Sequence, residues 1–161
     1  MKIYLDNAAT TQIDPQVIDA ICKVMETNYG NPSSTHGFGR TARAEIEKAR
    51  RSVASHLSVS PAEVFFTSGG TEADNMAIVC SIRDLGVRHI ITSKIEHHAI
   101  LHAVEAAEAS DNVKVSFVNL TSIGHVDLDH LQELLQSDEK TLVSLMHANN
   151  EIGNLIDLKK V

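Results

Sequence analysis

Four short runs of β-branched and other apolar residues alternate with helical patterns, and this alternation constrains the fold most. The runs are "EVFFTS", "RHIITS", "VKVSFVNL" and "TLVSLMHA", at residues 63–68, 88–93, 113–120 and 141–148. Such runs are typical of strands buried on both faces of a parallel sheet. Helical patterns separate the later runs, at about residues 72–85, 98–109 and 128–136. The sequence therefore predicts an α/β fold with a mainly parallel sheet flanked by helices.

The segment before these runs is predicted to form two helices joined by a loop. Asp14 followed by Pro15 is typical of a helix start, with an N-cap and proline at the first helical position. The first helix has one apolar face: Val17, Ile18, Ile21, Val24 and Met25. The Gly/Pro/Ser/Asn-rich stretch at 28–39 predicts a loop, and a second helix is expected from about Thr41 to Leu57. "SPAE", residues 60–63, predicts one capped helical turn.

Composition disfavours nucleic-acid-binding, membrane-spanning and secreted proteins. The chain has 161 residues, which is typical of one domain, and its formal net charge of −7 disfavours nucleic acid or an anionic membrane as partner. Eighteen consecutive apolar residues do not occur, and the N-terminus becomes polar too soon for a signal peptide. Cys22 and Cys80 have no CxxC partner, so we expect reduced core thiols. A cytoplasmic protein is the expectation.

The stretch "TSGGTEADN", residues 67–75, joins an apolar run to a helical pattern. Gly70 and Thr71 would lie at a helix N-terminus, where free N–H groups and the helix dipole favour a phosphate. The alternative is that Thr71 only caps its helix, with Asp74 completing a capping pair. The stretch is neither a Walker A loop nor GxGxxG.

Histidines cluster where the run "RHIITS" passes into the next helix. His97 at this joint could stack on a planar ligand or transfer a proton; the alternative is a histidine that is solvated or satisfied in the core. His98 and His102 have the i, i+4 spacing of a metal-binding pair. The spacing offers no third ligand and the HExxH pattern is absent, so no metal site is predicted.

Two asparagines follow the last apolar run, in "MHANNEIGN", residues 146–154. Their amides could donate hydrogen bonds to a ligand oxygen. The alternative is an Asx turn that closes the strand, with Gly153 nearby. In α/β folds, ligands bind beyond the carboxyl ends of the strands, where all three of these stretches are expected.

Together with "YLDNAATT" and "GNPSSTH", the stretches "TSGGTEADN", "HIITSKIEHHAI" and "SLMHANNEIG" carry a resemblance. The sequence resembles the cysteine desulfurases, which are pyridoxal-phosphate enzymes of the class-V aminotransferase group with the fold-type-I architecture. The resemblance implies that Gly70 and Thr71 bind the cofactor phosphate. It implies that His97 stacks on the pyridine ring and takes part in proton transfers, and that Asn150 binds the phenolic oxygen.

The resemblance also implies an activity and partners. The family converts L-cysteine to L-alanine and leaves a persulfide on an enzyme cysteine. A sulfur-acceptor protein then receives the sulfur for iron–sulfur clusters or thio-cofactors, and the family forms homodimers. Selenocysteine lyase or another class-V enzyme is the close alternative. A non-catalytic domain that binds partners is the alternative from a different class.

The family motifs are incomplete in this chain. None of the eight lysines has the Ser-Gly-His-Lys context of the family's Schiff-base lysine, and neither cysteine matches the persulfide loop. By the resemblance, residues 1–14 form an N-terminal arm and residues 15–161 form an incomplete large domain, truncated before that lysine. We therefore expect the chain alone to be inactive.

Overall fold

The computed structural model describes residues 1–110 and 112–161. These residues form two compact units, Met1–Phe66 and Thr67–Val161. The expected division into an arm at 1–14 and a large domain at 15–161 stays a prediction.

The first unit contains two helices and a short 3-10 turn. They are α1 (Pro15–Thr27), α2 (Gly37–Leu57) and the turn Pro61–Glu63. Asp14 caps α1, because its carboxylate accepts a hydrogen bond from the Gln16 amide at 2.8 Å. Ser60 and Glu63 form the predicted capping box around the turn. Local cap chemistry therefore fixes both helical starts as the sequence indicates.

Helix α2 begins at Gly37, four residues before the predicted start at Thr41. The His36 ring caps it by accepting the Gly39 amide at 3.4 Å. Gly39 is buried, and a Cβ there would collide with the backbone carbonyl oxygens of Asn31 and Ser34. The glycines at the start of α2 made this stretch resemble a loop. Gly39 is instead part of the helix, where it allows the helix backbone to pack closely against residues 31–34.

Helix α1 presents its apolar face without cover from its own unit. None of its residues is buried, and Val17, Ile18, Ile21 and Val24 are 44–48% exposed. Cys22 on this helix is exposed, so the expectation of a core thiol was wrong there. Cys80 is half-buried, and both thiols are free.

The second unit is built on a three-stranded parallel sheet. Its strands are β1 (His89–Thr92), β2 (Lys114–Phe117) and β3 (Thr141–Val143), in the spatial order β2-β1-β3. Its helices are α3 (Gly70–Arg83), α4 (His98–Ser110) and α5 (Leu128–Leu134). In register, Ile90 pairs with Val115 on one side and with Leu142 on the other.

Both faces of the central strand are covered, as the continuous apolar runs predict. Ile90 packs in a cluster with α3 and α4 residues, among them Ile78 and Val104. Ile91, on the opposite face, packs with Val118 and with Leu131 of α5. The predicted α/β fold with helices flanking a parallel sheet is therefore present.

The prediction of a strand at residues 63–68 was wrong. Val64 has extended backbone angles (φ −101°, ψ 119°), but the segment pairs with no strand. Phe65 and Phe66 are 70% and 52% exposed. The apolar content was read correctly, but a strand also needs a hydrogen-bonded neighbour, and the described residues supply none.

A buried histidine links all three strands. His89 lies within 2.8 Å of the Ser116 hydroxyl through Nε2 and within 3.4 Å of the Thr141 hydroxyl through Nδ1. Burial, helped by the charge of Lys114, lowers the pKa of His89 below its ordinary value. The neutral ring therefore serves as a polar cross-link inside the sheet.

Thr92 contains a buried hydroxyl without a partner among the described residues. We expect Thr92→Val to raise the free energy of unfolding by about 1–3 kcal/mol, because valine removes the unsatisfied group while keeping the shape. Thr141→Val is the matched control, since the Thr141 hydroxyl donates to the Glu139 carbonyl at 2.9 Å, and it should be destabilising. Urea unfolding measures both, and a destabilised Thr92→Val would contradict the expectation.

Candidate functional site

The N-termini of α3 and α4 lie at the carboxyl edge of the sheet. Helix α4 begins at His98, soon after β1 ends at Thr92. Helix α3 runs for 14 residues, about 21 Å, and its last residue, Arg83, precedes the start of β1 by a short turn. Because α3 leads into the amino end of β1 and packs beside α4, its first residues point to the same edge as those of α4. This is where parallel sheets hold ligands.

The start of α3 has the form of an anion site. Gly69 is the N-cap and no side chain caps the helix, so the interpretation of Thr71 as a cap was wrong. The first intrahelical bond runs from Ala73 to the Gly69 carbonyl. The amides of Gly70, Thr71 and Glu72 therefore have no acceptor among the described residues, and a Cβ at Gly70 would meet nothing within 4 Å. Free amides, open space and the helix dipole together fit a phosphate group.

Glu72 brings a negative charge close to the same helix turn. Its carboxylate accepts a hydrogen bond from the Ser68 amide at 2.6 Å, which draws it back along the preceding loop. Bonds from the Ser68 amide and hydroxyl lower the pKa of Glu72 below its ordinary value. Glu72 thus stays ionised and engaged with the loop.

His97 is exposed at the start of α4. Its Nδ1 accepts a hydrogen bond from the Ala99 amide at 3.1 Å, so the ring caps the helix. With Nδ1 acting as acceptor, the neutral ring carries its proton on Nε2. That nitrogen has no partner among the described residues. His97 can therefore present a flat ring and one exchangeable proton to a ligand.

The two asparagines behave differently. The buried Asn149 forms the predicted Asx turn, with its Oδ1 accepting the amides of Glu151 and Ile152 at 2.8 and 3.0 Å. Asn150 is exposed, and its side-chain amide donates to the Glu151 carboxylate at 3.1 Å. The predicted Asx turn is therefore present at Asn149, whereas ligand binding stays a prediction for Asn150, whose amide is accessible.

Sequence reasoning missed Glu96, which connects the two loops that carry His97 and Asn150. Its Oε1 accepts the Ser93 hydroxyl at 2.7 Å and the Met146 amide at 2.9 Å. Glu96 is only 8% exposed. An acidic residue beside histidines gives no sequence signal of burial, because one of its two partners, Met146, lies 50 positions away.

A cavity of about 300 Å³ lies in the second unit, lined partly by Ser93, Glu96 and Asn149. The cavity lining includes none of the four predicted site residues, which are Gly70, Thr71, His97 and Asn150. The cavity is therefore not lined by the four predicted site residues but by Glu96 and Asn149, the buried neighbours of His97 and Asn150.

Metal ligation finds no support in the part of the chain that the structure describes. Within it, no group of three His, Cys, Asp or Glu side chains is placed to hold an ion. The rings of His98 and His102 stack with centroids 5.5 Å apart.

None of the described helices is both long and apolar enough to cross a membrane.

The fold and this edge define an α/β protein whose candidate ligand site combines an anion-binding helix start, an imidazole and an amide. The chain belongs to the class-V aminotransferase family: the family model "Aminotransferase class-V" matches residues 3–161. Members of this family and of the cysteine desulfurases generally use pyridoxal phosphate. The resemblance read from the motifs is thus confirmed at the level of the family.

Relatives and solved structures agree with this assignment. The chain is 41% identical over 162 residues to the cysteine desulfurase IscS of Methanosarcina thermophila, covering 99% of this chain and 39% of that protein. A solved NifS-like protein superposes with a TM-score of 0.86 at 42% identity, over 96% of this chain and 43% of that one. A structure of SspA in complex with cysteine gives a TM-score of 0.78 at 28% identity, over 89% and 42% of the two chains.

These likenesses confirm the predicted fold-type-I architecture. The chain spans about two fifths of the length of the proteins it matches, at 39%, 43% and 42%. The matched part includes every stretch on which the candidate site is built, from Gly70 to Asn150.

Proposed function

We propose that this chain supplies the phosphate-binding and ring-binding part of a pyridoxal-phosphate site in a cysteine desulfurase. The observation that supports it most is the uncapped start of α3, with free amides at Gly70 and Thr71 and open space above them. His97 would lie against the pyridine ring, and Asn150 would bind the phenolic oxygen. Homology to proteins named cysteine desulfurase supports the reaction class.

Each residue has a defined task in this proposal. The amides of Gly70 and Thr71 bind the phosphate and hold it against the positive end of α3. His97, oriented by its bond from the Ala99 amide, holds or transfers a proton at Nε2. Asn150 exchanges its exposed bond with Glu151 for a ligand oxygen, which costs little because both groups are solvated. When bound, the cofactor supplies an electron sink, and the protein orients it.

For the whole protein, we propose conversion of L-cysteine to L-alanine, with transfer of the sulfur as a persulfide to an acceptor protein. The solved relative in complex with cysteine supports L-cysteine as the substrate. We propose a cytoplasmic homodimer that serves iron–sulfur cluster or thio-cofactor assembly. A selenocysteine lyase would share the residues seen here, and comparing cysteine with selenocysteine turnover in a complete enzyme separates the two.

The chain of 161 residues should bind pyridoxal phosphate reversibly without forming a specific covalent adduct. The reason is that none of its lysines has the family's Schiff-base context, so the phosphate, ring and oxygen contacts act alone. Equilibrium dialysis measures the affinity, and borohydride reduction followed by intact mass spectrometry detects an adduct.

His97→Ala and Asn150→Ala should each weaken this binding, whereas the exposed control His125→Ala should not. The same protein should not convert cysteine to alanine. Failure to bind the cofactor, or equal binding by all variants, contradicts the proposed site. A stoichiometric adduct or clear turnover contradicts the proposed inactivity of the chain alone.

A further inference from the structure

Two pairs of neighbouring residues at the carboxyl edge share one arrangement. In the pair Glu96–His97 and in the pair Asn149–Asn150, the first residue is 8% exposed and the second is exposed. The exposed member is the one proposed to touch the cofactor. The buried member is therefore placed to anchor the backbone from which its neighbour projects.

The side chain of each buried member forms a hydrogen bond with the backbone of the other loop. Glu96 accepts the Met146 amide at 2.9 Å, a contact between residues 50 positions apart. Asn149 donates from its Nδ2 to the Ile95 carbonyl at 2.8 Å, across 54 positions. Two hydrogen bonds, both donated from residues 146–149 and accepted by residues 95–96, thus join the two loops. We call Glu96 and Asn149, with these two bonds, the loop clamp.

Each clamp residue is also fixed within its own loop. The Ser93 hydroxyl donates to Glu96 at 2.7 Å, and the oxygen of Asn149 accepts two amides of its turn. Buried polar groups that are bonded on several sides have little freedom, and leaving one unsatisfied is costly. The clamp therefore resists changes in the separation of its two loops.

We propose that Glu96 and Asn149 are positioning residues that set the spacing and orientation of His97 and Asn150. This inference rests on the proposed function only for what the two exposed residues bind. The need for such a device follows from the site's design: a flat ring must fit against the imidazole while an amide reaches its edge. Catalytic and binding geometry tolerates errors of only about 0.5 Å.

The ligand-free chain permits a direct test by amide hydrogen exchange. In Glu96→Ala, we expect protection of the Met146 amide, which loses its acceptor, to fall at least about tenfold. Protection of the Ala99 amide, bonded to the His97 ring, should fall as well, because the turn that carries His97 loses its anchor. The Val118 amide, bonded to the Thr92 carbonyl at 2.8 Å, should change less than about twofold and reports an intact sheet.

A conservative variant and a remote variant serve as controls for Glu96→Ala. Glu96→Gln retains the oxygen that accepts both bonds and should keep protection of both amides near the original values. Glu105→Ala, at an exposed position on α4, should change none of them. If Glu96→Ala cannot be purified folded, Asn149→Ala tests the other bond of the clamp, and Ala99 should again lose protection. An Ala99 amide as protected in the folded clamp variant as in the original chain overturns the proposal.

A double-mutant cycle on cofactor affinity separates positioning from general destabilisation. Glu96→Ala should weaken pyridoxal phosphate binding about tenfold in the original chain but less than twofold in a His97→Ala background. Equal losses in both backgrounds overturn positioning through His97. Absence of cofactor binding by the original chain contradicts the proposed function alone, because amide exchange still decides the clamp without any ligand.

Discussion

Gly70→Asp is expected to weaken binding of pyridoxal phosphate by at least about tenfold while leaving the chain as stable as before. A side chain at Gly70 meets no protein atom within 4 Å, so the aspartate has room. Its carboxylate would enter the space proposed for the phosphate, and like charges about 4 Å apart repel by roughly 1–4 kcal/mol depending on solvation. The helix dipole favours the same carboxylate by about 0.3–1 kcal/mol, which keeps folding intact.

Gly70→Asn is the matched control for this expectation. Asparagine has the same shape without the charge, so its loss of affinity measures the steric part alone. Equilibrium dialysis gives the affinities, and thermal unfolding checks stability. Equal affinity in Gly70→Asp and the original chain would show that the phosphate is not bound at the start of α3. Loss of stability would show that Gly70 has a structural task instead.

Ile90→Ala should lower the free energy of unfolding of the second unit by about 2–5 kcal/mol. Ile90 is fully buried in the central strand and packs with residues of both α3 and α4. Strands on either side fix its backbone, so the surroundings can collapse only partly into the cavity. Most single substitutions cost far less, which makes this one diagnostic.

Val79→Ala offers a comparison on a neighbouring element. Val79 is 50% exposed on α3, so its truncation should cost less than about 1 kcal/mol. Urea denaturation followed by circular dichroism measures both variants. A cost for Ile90→Ala as small as that for Val79→Ala would mean that β1 is not the centre of a packed sheet.

The parallel sheet could be predicted because the two central residues of β1, Ile90 and Ile91, are both apolar. Ile90 and Ile91 point to opposite faces and both are buried, so a continuous apolar run was the correct signal. The same signal failed for Phe65 and Phe66, where pairing with another strand decides the structure. Apolar content is local, whereas hydrogen-bonded neighbours are not.

The exposed residues of the candidate site could be proposed from the sequence, but the buried residues that hold their loops in place could not. His97 and Asn150 stand in recognisable contexts, at the ends of apolar runs. Glu96 is bonded to an amide 50 positions away, and no local pattern reports that. Gly39 shows the reverse case, since a glycine that suggests a loop instead permits close packing at the start of a helix.

The order in which the sheet's contacts can form follows from how far apart they lie along the chain. His89 reaches Ser116 across 27 positions and Thr141 across 52. Closing the longer loop costs roughly 0.6 kcal/mol more, and during synthesis its far end also leaves the ribosome later. We therefore expect pairing of β1 with β2 to precede addition of β3. Until Met146 joins, Glu96 lacks its second donor, so we expect the edge that carries the candidate site to form late in folding.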